Sequence, residues 1–196
     1  MSSTLRSLLA LLTLALASCA TTYLDYEGPE GGWLVVSMLL PNDARGFNST
    51  CLSYRGKGGG DRGTVCASMN PSVLRTDMQR EHEITKVEES SHRGGVRARK
   101  LRPGDYEIYS YSISDGNNGI SPTKPLAIPF SIKPGVTTYL GTYQWNWVMG
   151  KNIWGQDVVK GANLAFGNRQ ARDVEKAVKL RNVPTKVESA VPAAVR

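Results

Sequence analysis

The sequence predicts an all-β fold, a single antiparallel β-sandwich that ends in one C-terminal helix. Short apolar or alternating segments, separated by glycine and proline turns, recur from residue 33 to residue 148. Helical spacing of apolar residues occurs convincingly only once, near the end of the chain. The 196 residues less a signal segment of 18 leave 178, enough for one domain and not clearly for two.

Seven segments have the composition or the alternation of β-strands. Residues 33–40 are apolar throughout between Gly-Gly and Pro-Asn, which is typical of a buried strand. Residues 126–132 alternate, and Pro129 favours a position at a sheet edge. The inward face of that strand is predicted to carry Leu126, Ile128, Phe130 and Ile132. The remaining candidates are residues 64–68, 83–87, 96–101, 106–114 and 136–148.

The segments between and after these strands are predicted to be less regular. Residues 41–61 hold many turn-forming residues, with a flexible tip at 57–60. Residues 168–180 are predicted to be the helix, because Ala171, Val174, Ala177 and Val178 recur at helical spacing. Residues 183–196 show no pattern, so we expect a mobile tail after a domain that spans residues 33–182.

The first residues have the parts of a secretory signal. Arg6 is the sole charge before an apolar core at residues 8–17, which is too short to span a bilayer, a task that takes ~20 residues. Leu16-Ala17-Ser18-Cys19 resembles a bacterial lipobox. The resemblance implies that residues 1–18 are removed, that Cys19 carries diacylglyceryl and a further acyl chain such as palmitate, and that residues 19–32 form a tether. Ordinary cleavage after Ala17 is the alternative.

The cysteine count supports acylation. The chain has three cysteines, and acylating Cys19 leaves the pair Cys51 and Cys66. In an oxidising compartment these two can form a disulfide, although two reduced and buried thiols remain an alternative.

The charge and the position after Cys19 bear on partners. The net charge of +7 falls to +6 when Arg6 is lost. In the cell envelope, the expected partners of this positive charge are anionic lipid, lipopolysaccharide phosphates or cell-wall carboxylates rather than nucleic acid. The alternative is that the charge serves only to keep the domain soluble. The residue after Cys19 is Ala20 rather than aspartate, which by resemblance to Gram-negative lipoproteins implies sorting to the outer membrane. We therefore expect a lipid-anchored protein that faces the periplasm.

Two motifs resemble a known family. The segment LRPGDYEI at residues 101–108 resembles the strand-turn-strand of transthyretin-like and carboxypeptidase-regulatory-like domains. The segment IKPGVTTYLG at residues 132–141 is similar to a motif of uncharacterised bacterial envelope proteins that carry such a domain. The resemblance implies an immunoglobulin-like or prealbumin-like antiparallel sandwich, with a closing strand at 157–159, and brings no catalytic residue with it.

Two surface features are candidate ligand-binding sites. Tyr139, Tyr143, Trp145 and Trp147 share one face if their strand is regular, and such a row can either stack sugar rings or fill a core. A basic cluster could bind phosphate groups, or could instead protect a strand edge. Its members are Arg93, Arg97, Arg99, Lys100 and Arg102, of which Arg97 and Arg99 are the candidate ligand contacts.

No motif for catalysis, metal binding or a cofactor emerges from the sequence. His82 and His92 are ten residues apart, and no Cys-x-x-Cys or His-x-x-x-His spacing occurs. The sequence therefore predicts a non-enzymatic, lipid-anchored envelope protein that acts in structure or protein interaction. The alternative is a glycan- or lipopolysaccharide-binding module that uses the aromatic row and the basic cluster.

Overall fold

The apolar segments form two β-sheets that pack face to face, with helices on the outer side of one sheet. This architecture is seen in a computed structural model, which describes residues 25–43, 45–58, 61–69 and 76–193. Cys19, the predicted acylation site, lies outside the described residues.

Strands make up most of the described chain. They are β1 (Gly32–Pro41), β2 (Ser49–Gly56), β3 (Arg62–Ser68), β4 (Lys86–Glu88), β5 (His92–Leu101), β6 (Gly104–Ser114), β7 (Gly119–Ile120), β8 (Ile128–Ile132), β9 (Thr137–Lys151), β10 (Asp157–Gly167) and β11 (Val187–Ser189). The helices are α1 (Thr76–Thr85) and α2 (Gln170–Arg181).

The strands assort into a sandwich, as the sequence predicts. The first sheet has the order β10-β9-β1-β5-β4, with β11 also paired to β9. The second has the order β3-β2-β6-β7, with β8 paired to β6. The expectation of a wholly antiparallel sandwich is wrong, because β1 and β11 both run parallel to β9. A parallel pair is typical of strands covered on both faces, and β1 is such a strand.

Strand β1 is buried on both sides, which explains its continuous apolar sequence. Leu34, Val36, Met38 and Leu40 face the second sheet and form the sandwich core. Val35 and Leu39 face the opposite way, into a smaller cluster with Ala177 of α2. The larger core also takes its apolar side chains from the second sheet, among them Leu52, Val65, Ile108, Ile113 and Phe130.

Two local predictions are wrong. Residues 83–85 are the last turn of α1 and not a strand; Thr85 Oγ1 donates a hydrogen bond to the Glu81 carbonyl 2.8 Å away. The residues before them are polar and lack an apolar stripe, so periodicity cannot reveal this second helix. Strand β2 lies in the segment predicted as turns, where Thr50, Leu52 and Tyr54 alternate inward.

Both predicted flexible ends contribute to the domain. The Tyr26 amide donates to the Lys100 carbonyl at 2.9 Å, and Gly32 already belongs to β1. At the other end, residues 187–189 form β11 against β9, where the sequence predicted a mobile tail. The three-residue strand was missed because so short a segment has no measurable alternation.

Two further predictions are confirmed. In β8, Ile128, Phe130 and Ile132 are buried while Pro129 is exposed, and within the described residues β8 pairs only with β6. Cys51 and Cys66 face each other across β2 and β3 and form a disulfide, with their Cα atoms 4.0 Å apart.

Candidate functional site

A β-bulge in β9 divides the predicted aromatic row between the two faces of the first sheet. Val35 lies opposite Tyr139, but Ser37 lies opposite Thr142, so β9 contains one extra residue at this point. Gly141 accommodates it with a φ of +99°. Tyr139 consequently joins the cluster under α2, whereas Tyr143 and Trp145 join the sandwich core. The prediction of one shared face is therefore wrong.

The rings on β9 are packed into the protein and do not form an open row. Tyr139, Tyr143 and Trp145 are fully buried, and Trp147 is partly buried against Phe47, with 5.2 Å between ring centroids. Their neighbours are aromatic as well. Tyr143 meets Phe166 edge-on at 4.9 Å, and Trp145 meets Tyr111 at 5.7 Å.

Buried tyrosines make the fold sensitive to alkaline pH. Burial raises the pKa of Tyr106 and Tyr139 to about 12, and it also raises the pKa values of Tyr54, Tyr111 and Tyr143 above 10.0. Between pH 10 and pH 12, the tyrosines of the unfolded chain release protons that the buried tyrosines of the folded chain retain. We therefore expect the free energy of unfolding, measured by denaturant titration, to be unaffected by these phenols below pH 10 and to fall steeply toward pH 12. A flat profile from pH 10 to 12 would contradict this.

Three residues of the basic cluster, all on β5, hold neighbouring segments in place. Arg97 Nε donates to the Cys66 carbonyl and its Nη1 to Thr85 Oγ1, each at 2.8 Å. Burial lowers the pKa of Arg97. Arg99 pairs with Asp25 at 3.6 Å, and Lys100 Nζ donates to the Gly28 carbonyl at 2.9 Å. These groups tie β5 to the second sheet and to residues 25–31, so they do not form an open phosphate-binding patch.

A buried carboxylate fixes α2 to the sheet. Asp173 has no exposed surface, and its Oδ2 accepts hydrogen bonds from Tyr139 OH at 2.8 Å and Thr142 Oγ1 at 3.1 Å. Arg172 Nε donates to its Oδ1 at 2.8 Å, while Arg172 Nη1 reaches Glu89 at 2.7 Å. Because Asp173 is closed off from solvent, this network orders the fold and offers no access to a substrate.

The hairpin of β9 and β10 extends beyond the rest of the first sheet. The pairing of β9 with β1 ends at Gln144, whereas its pairing with β10 continues to Lys151. At ~3.3 Å per residue the two-stranded part extends about 20 Å beyond β1. Exposure rises along it, from fully buried Trp145 to Val148 and Met149, which are 38% and 39% exposed. We call residues 148–160 the hairpin arm.

The tip of the hairpin arm is a well-ordered turn that carries two large apolar side chains. Asn152 Oδ1 accepts hydrogen bonds from the amides of Trp154 at 2.9 Å and Gln156 at 3.0 Å. The Gly155 amide donates to the Asn152 carbonyl at 3.0 Å. Ile153 is nevertheless 90% exposed and Trp154 78% exposed. The turn therefore presents these two side chains to solvent in a defined conformation.

A cleft of about 700 Å³ lies at the base of the hairpin arm. One wall is β10 from Lys160 to Leu164 with Val148 of β9 beside it. The other is formed by residues 119–124 and Leu126, in β7 and the loop that follows it, together with Tyr111 of β6. Tyr111 OH donates to the Ala162 carbonyl at 3.1 Å, which links the two walls. Lys124 and Lys160 are the charged residues of this lining.

The hairpin arm and the cleft were not predicted from the sequence. A signal was present, since Ile153-Trp154 stands between Asn152 and Gly155, and two bulky apolar residues are unusual inside a turn. The cleft left no such signal because its walls come from segments about forty residues apart.

Neither a metal-binding cluster nor a membrane-spanning helix occurs among the described residues. Among them, no group of three or more His, Cys, Asp or Glu residues is placed to hold a metal ion. No helix in this part of the chain is both long enough and apolar enough to cross a membrane.

The fold and the site define a class, a two-sheet β-sandwich with an exposed hairpin arm. No protein-family model matches the sequence, and no curated protein matches it. Among solved structures, a leucine-rich repeat protein from Bacteroides thetaiotaomicron is similar to 59% of this chain, with 11% sequence identity and a TM-score of 0.35. The similarity covers 12% of that protein.

Proposed function

We propose that this chain is a non-enzymatic, lipid-anchored protein of the bacterial outer membrane that docks a protein partner in the periplasm through its hairpin arm. The observation that carries the proposal is the exposure of Ile153 and Trp154 on a hydrogen-bonded turn at the tip. Large apolar side chains held together in water are costly to solvate, and tryptophan is enriched among the residues that dominate binding energy.

The position of the N-terminus supports a partner away from the anchoring membrane. Residues 25–31 lie at the end of the sheet where β1 and β9 begin, since the Gly135 amide donates to the Gly31 carbonyl. Five residues lie between Cys19 and Asp25, and the six steps from one Cα atom to the next span at most about 20 Å. Strand β9 runs from this end to the tip over 15 residues, or about 45 Å. When β9 lies perpendicular to the membrane, the tip of the hairpin arm is therefore held away from the lipid attached to Cys19.

The glycan- or lipopolysaccharide-binding alternative loses the features that suggested it. Tyr139, Tyr143 and Trp145 are buried, while Arg97 and Arg99 make contacts inside the domain. Docking at the hairpin arm needs none of these groups, and we therefore favour protein interaction.

A photocrosslinking amino acid tests the docking role in intact cells. Placed at residue 154 of the full-length chain, it should give a discrete crosslinked protein, and the same probe at exposed Lys179 on α2 should not. In a chain with the crosslinker at Met149, which is exposed and lies outside the cleft lining, Ile153→Ser with Trp154→Ser should lower the yield of that product about tenfold, as loss of a binding hot spot does. The variant should keep its melting temperature, because both side chains are exposed. Equal yields with and without the substitutions would refute docking at the tip.

Anchoring is tested separately by Cys19→Ala. Fractionation should move the protein from the membrane to the soluble or unprocessed fraction, and an acyl label should mark only the unsubstituted chain. Unchanged fractionation without any label would refute lipidation, while leaving the crosslinking result to stand on its own.

A further inference from the structure

We propose that the outer edge of β10 binds an acidic polypeptide segment in extended conformation, which adds to the first sheet as a further strand. The inference rests on the proposed docking function and specifies the chemistry of the partner. The proposed strand site is the cleft at the base of the hairpin arm and not the tip. Docking at the tip and strand addition at the cleft can therefore be refuted separately.

The first support is the position of β10. It is an outermost strand of the first sheet, and among the described residues its backbone pairs only with β9. The outer N–H and C=O groups of such a strand can pair with a chain supplied from elsewhere.

The second support is the way β10 lines the cleft. Five consecutive residues, from Lys160 to Leu164, contribute to the wall. A strand that presents a face to a cleft would contribute alternate residues, because successive side chains point to opposite sides. Consecutive lining means that the strand presents its backbone edge. The Ala162 carbonyl shows this directly, since it accepts its hydrogen bond from Tyr111 across the cleft and so points away from β9.

The third support is the weak edge protection beyond Lys160. Tyr111 OH already donates to the outward carbonyl of Ala162, but that oxygen can accept a second hydrogen bond. Proteins commonly guard an open edge with a bulge or a lysine, and β10 has both where its register with β9 shifts between Val159 and Gly161. Residues 161–167 carry no charge and no proline. Gly161 has no side chain, and a Cβ added there would meet no other atom within 4 Å, so the face of the strand is uncrowded at this residue.

The charge of the cleft selects the partner. The walls carry Lys124 and Lys160, both exposed, and the lining contains no carboxylate. Apolar side chains from both walls, Ile120 and Leu126 on one and Leu164 on the other, can pack on alternate residues of the added strand. An extended segment with apolar residues on one face and carboxylates near the two lysines meets both conditions.

Synthetic peptides of about eight residues, a common strand length, test the proposal on the full-length chain in detergent. One alternates valine with glutamate, and matched peptides replace glutamate with glutamine or lysine. A fourth keeps the glutamate sequence but is N-methylated at alternate amides, so that it cannot complete a ladder. We expect the glutamate peptide to bind best, to slow amide hydrogen exchange within residues 161–167, and to lose binding when N-methylated.

Protein variants locate the site. Ala162→Pro removes an outward N–H without removing a hydrogen bond to β9, and should reduce peptide binding to background. Lys124→Glu with Lys160→Glu should weaken the glutamate peptide about tenfold and favour the lysine peptide. The denaturation midpoint of each variant is the folding control. If Ala162→Pro does not fold, the N-methylated peptide gives the same information on the unsubstituted protein.

Several outcomes would overturn the proposal. These are equal binding of the N-methylated and unmodified peptides, binding that ignores the charge reversals, and absence of binding by every peptide. Protection of residues 161–167 that depends on protein concentration without peptide would instead make a second copy of this chain the occupant. If the probe at residue 154 gives no discrete crosslinked protein while the peptide still binds, docking at the tip is refuted and the strand site is not.

Discussion

Replacing Asp173 with alanine should lower the free energy of unfolding by about 3–5 kcal/mol, the range typical of removing one partner from a buried ionic network. The carboxylate is fully buried and accepts hydrogen bonds from Tyr139, Thr142 and Arg172. Without it, the buried hydroxyl groups lose their acceptor and the Arg172 guanidinium keeps only Glu89 as a carboxylate partner. Denaturant titration followed by circular dichroism measures the change.

Glu175 on the same helix provides the matched control. It is exposed and pairs with Lys179 at 2.6 Å in an i,i+4 arrangement. Glu175→Ala removes the same charge from α2 and should leave the free energy of unfolding almost unchanged, because the pair is exposed to solvent. The difference between the two variants isolates burial from helix charge. A loss of less than about 1 kcal/mol for Asp173→Ala would mean that the network does not hold α2 on the sheet.

Much of the sandwich could be predicted because the pattern of apolar residues in its core strands indicates which side chains are buried. The apolar run in β1 indicated a strand that is buried throughout, and the alternation in β8 gave its inward face and its edge position. Strand β1 did not reveal its direction relative to β9, since apolar side chains pack equally well beside a parallel or an antiparallel neighbour. Helix α1 escaped because its residues are polar, and its place depends on contacts with β5 and α2.

The candidate site could be predicted far less well, because it depends on tertiary pairing. The exposure of Ile153 and Trp154 follows from the end of the pairing between β9 and β1 at Gln144. Nothing in residues 145–151 marks that end, since they continue the apolar pattern of a buried strand. The basic cluster was visible as charge, but its partners Asp25 and the Cys66 carbonyl are distant in sequence. The density of positive charge alone could not distinguish residues that make contacts within the domain from residues that bind a ligand.

Replacing Gly141 with alanine should destabilise the protein by about 3 kcal/mol, because this glycine sets which face each aromatic side chain of β9 occupies. Its φ of +99° is strained for any residue with a Cβ, at a cost of about 1–2 kcal/mol. The added Cβ would also lie 3.0 Å from the Gly167 carbonyl oxygen and 3.0 Å from Val191 Cγ1. Crowding of this kind in a packed region adds about 1–3 kcal/mol. Denaturant titration measures the loss.

Gly116 separates the two contributions. It has the same φ of +99° but lies in an exposed loop, where a Cβ would meet nothing within 4 Å. Gly116→Ala should therefore cost only the backbone strain, about 1–2 kcal/mol. Equal losses for the two variants would mean that the bulge is not tightly packed. A larger loss at Gly141 would show that the bulge is fixed by its neighbours, and that this packing holds Tyr139 under α2 and Tyr143 and Trp145 in the sandwich core.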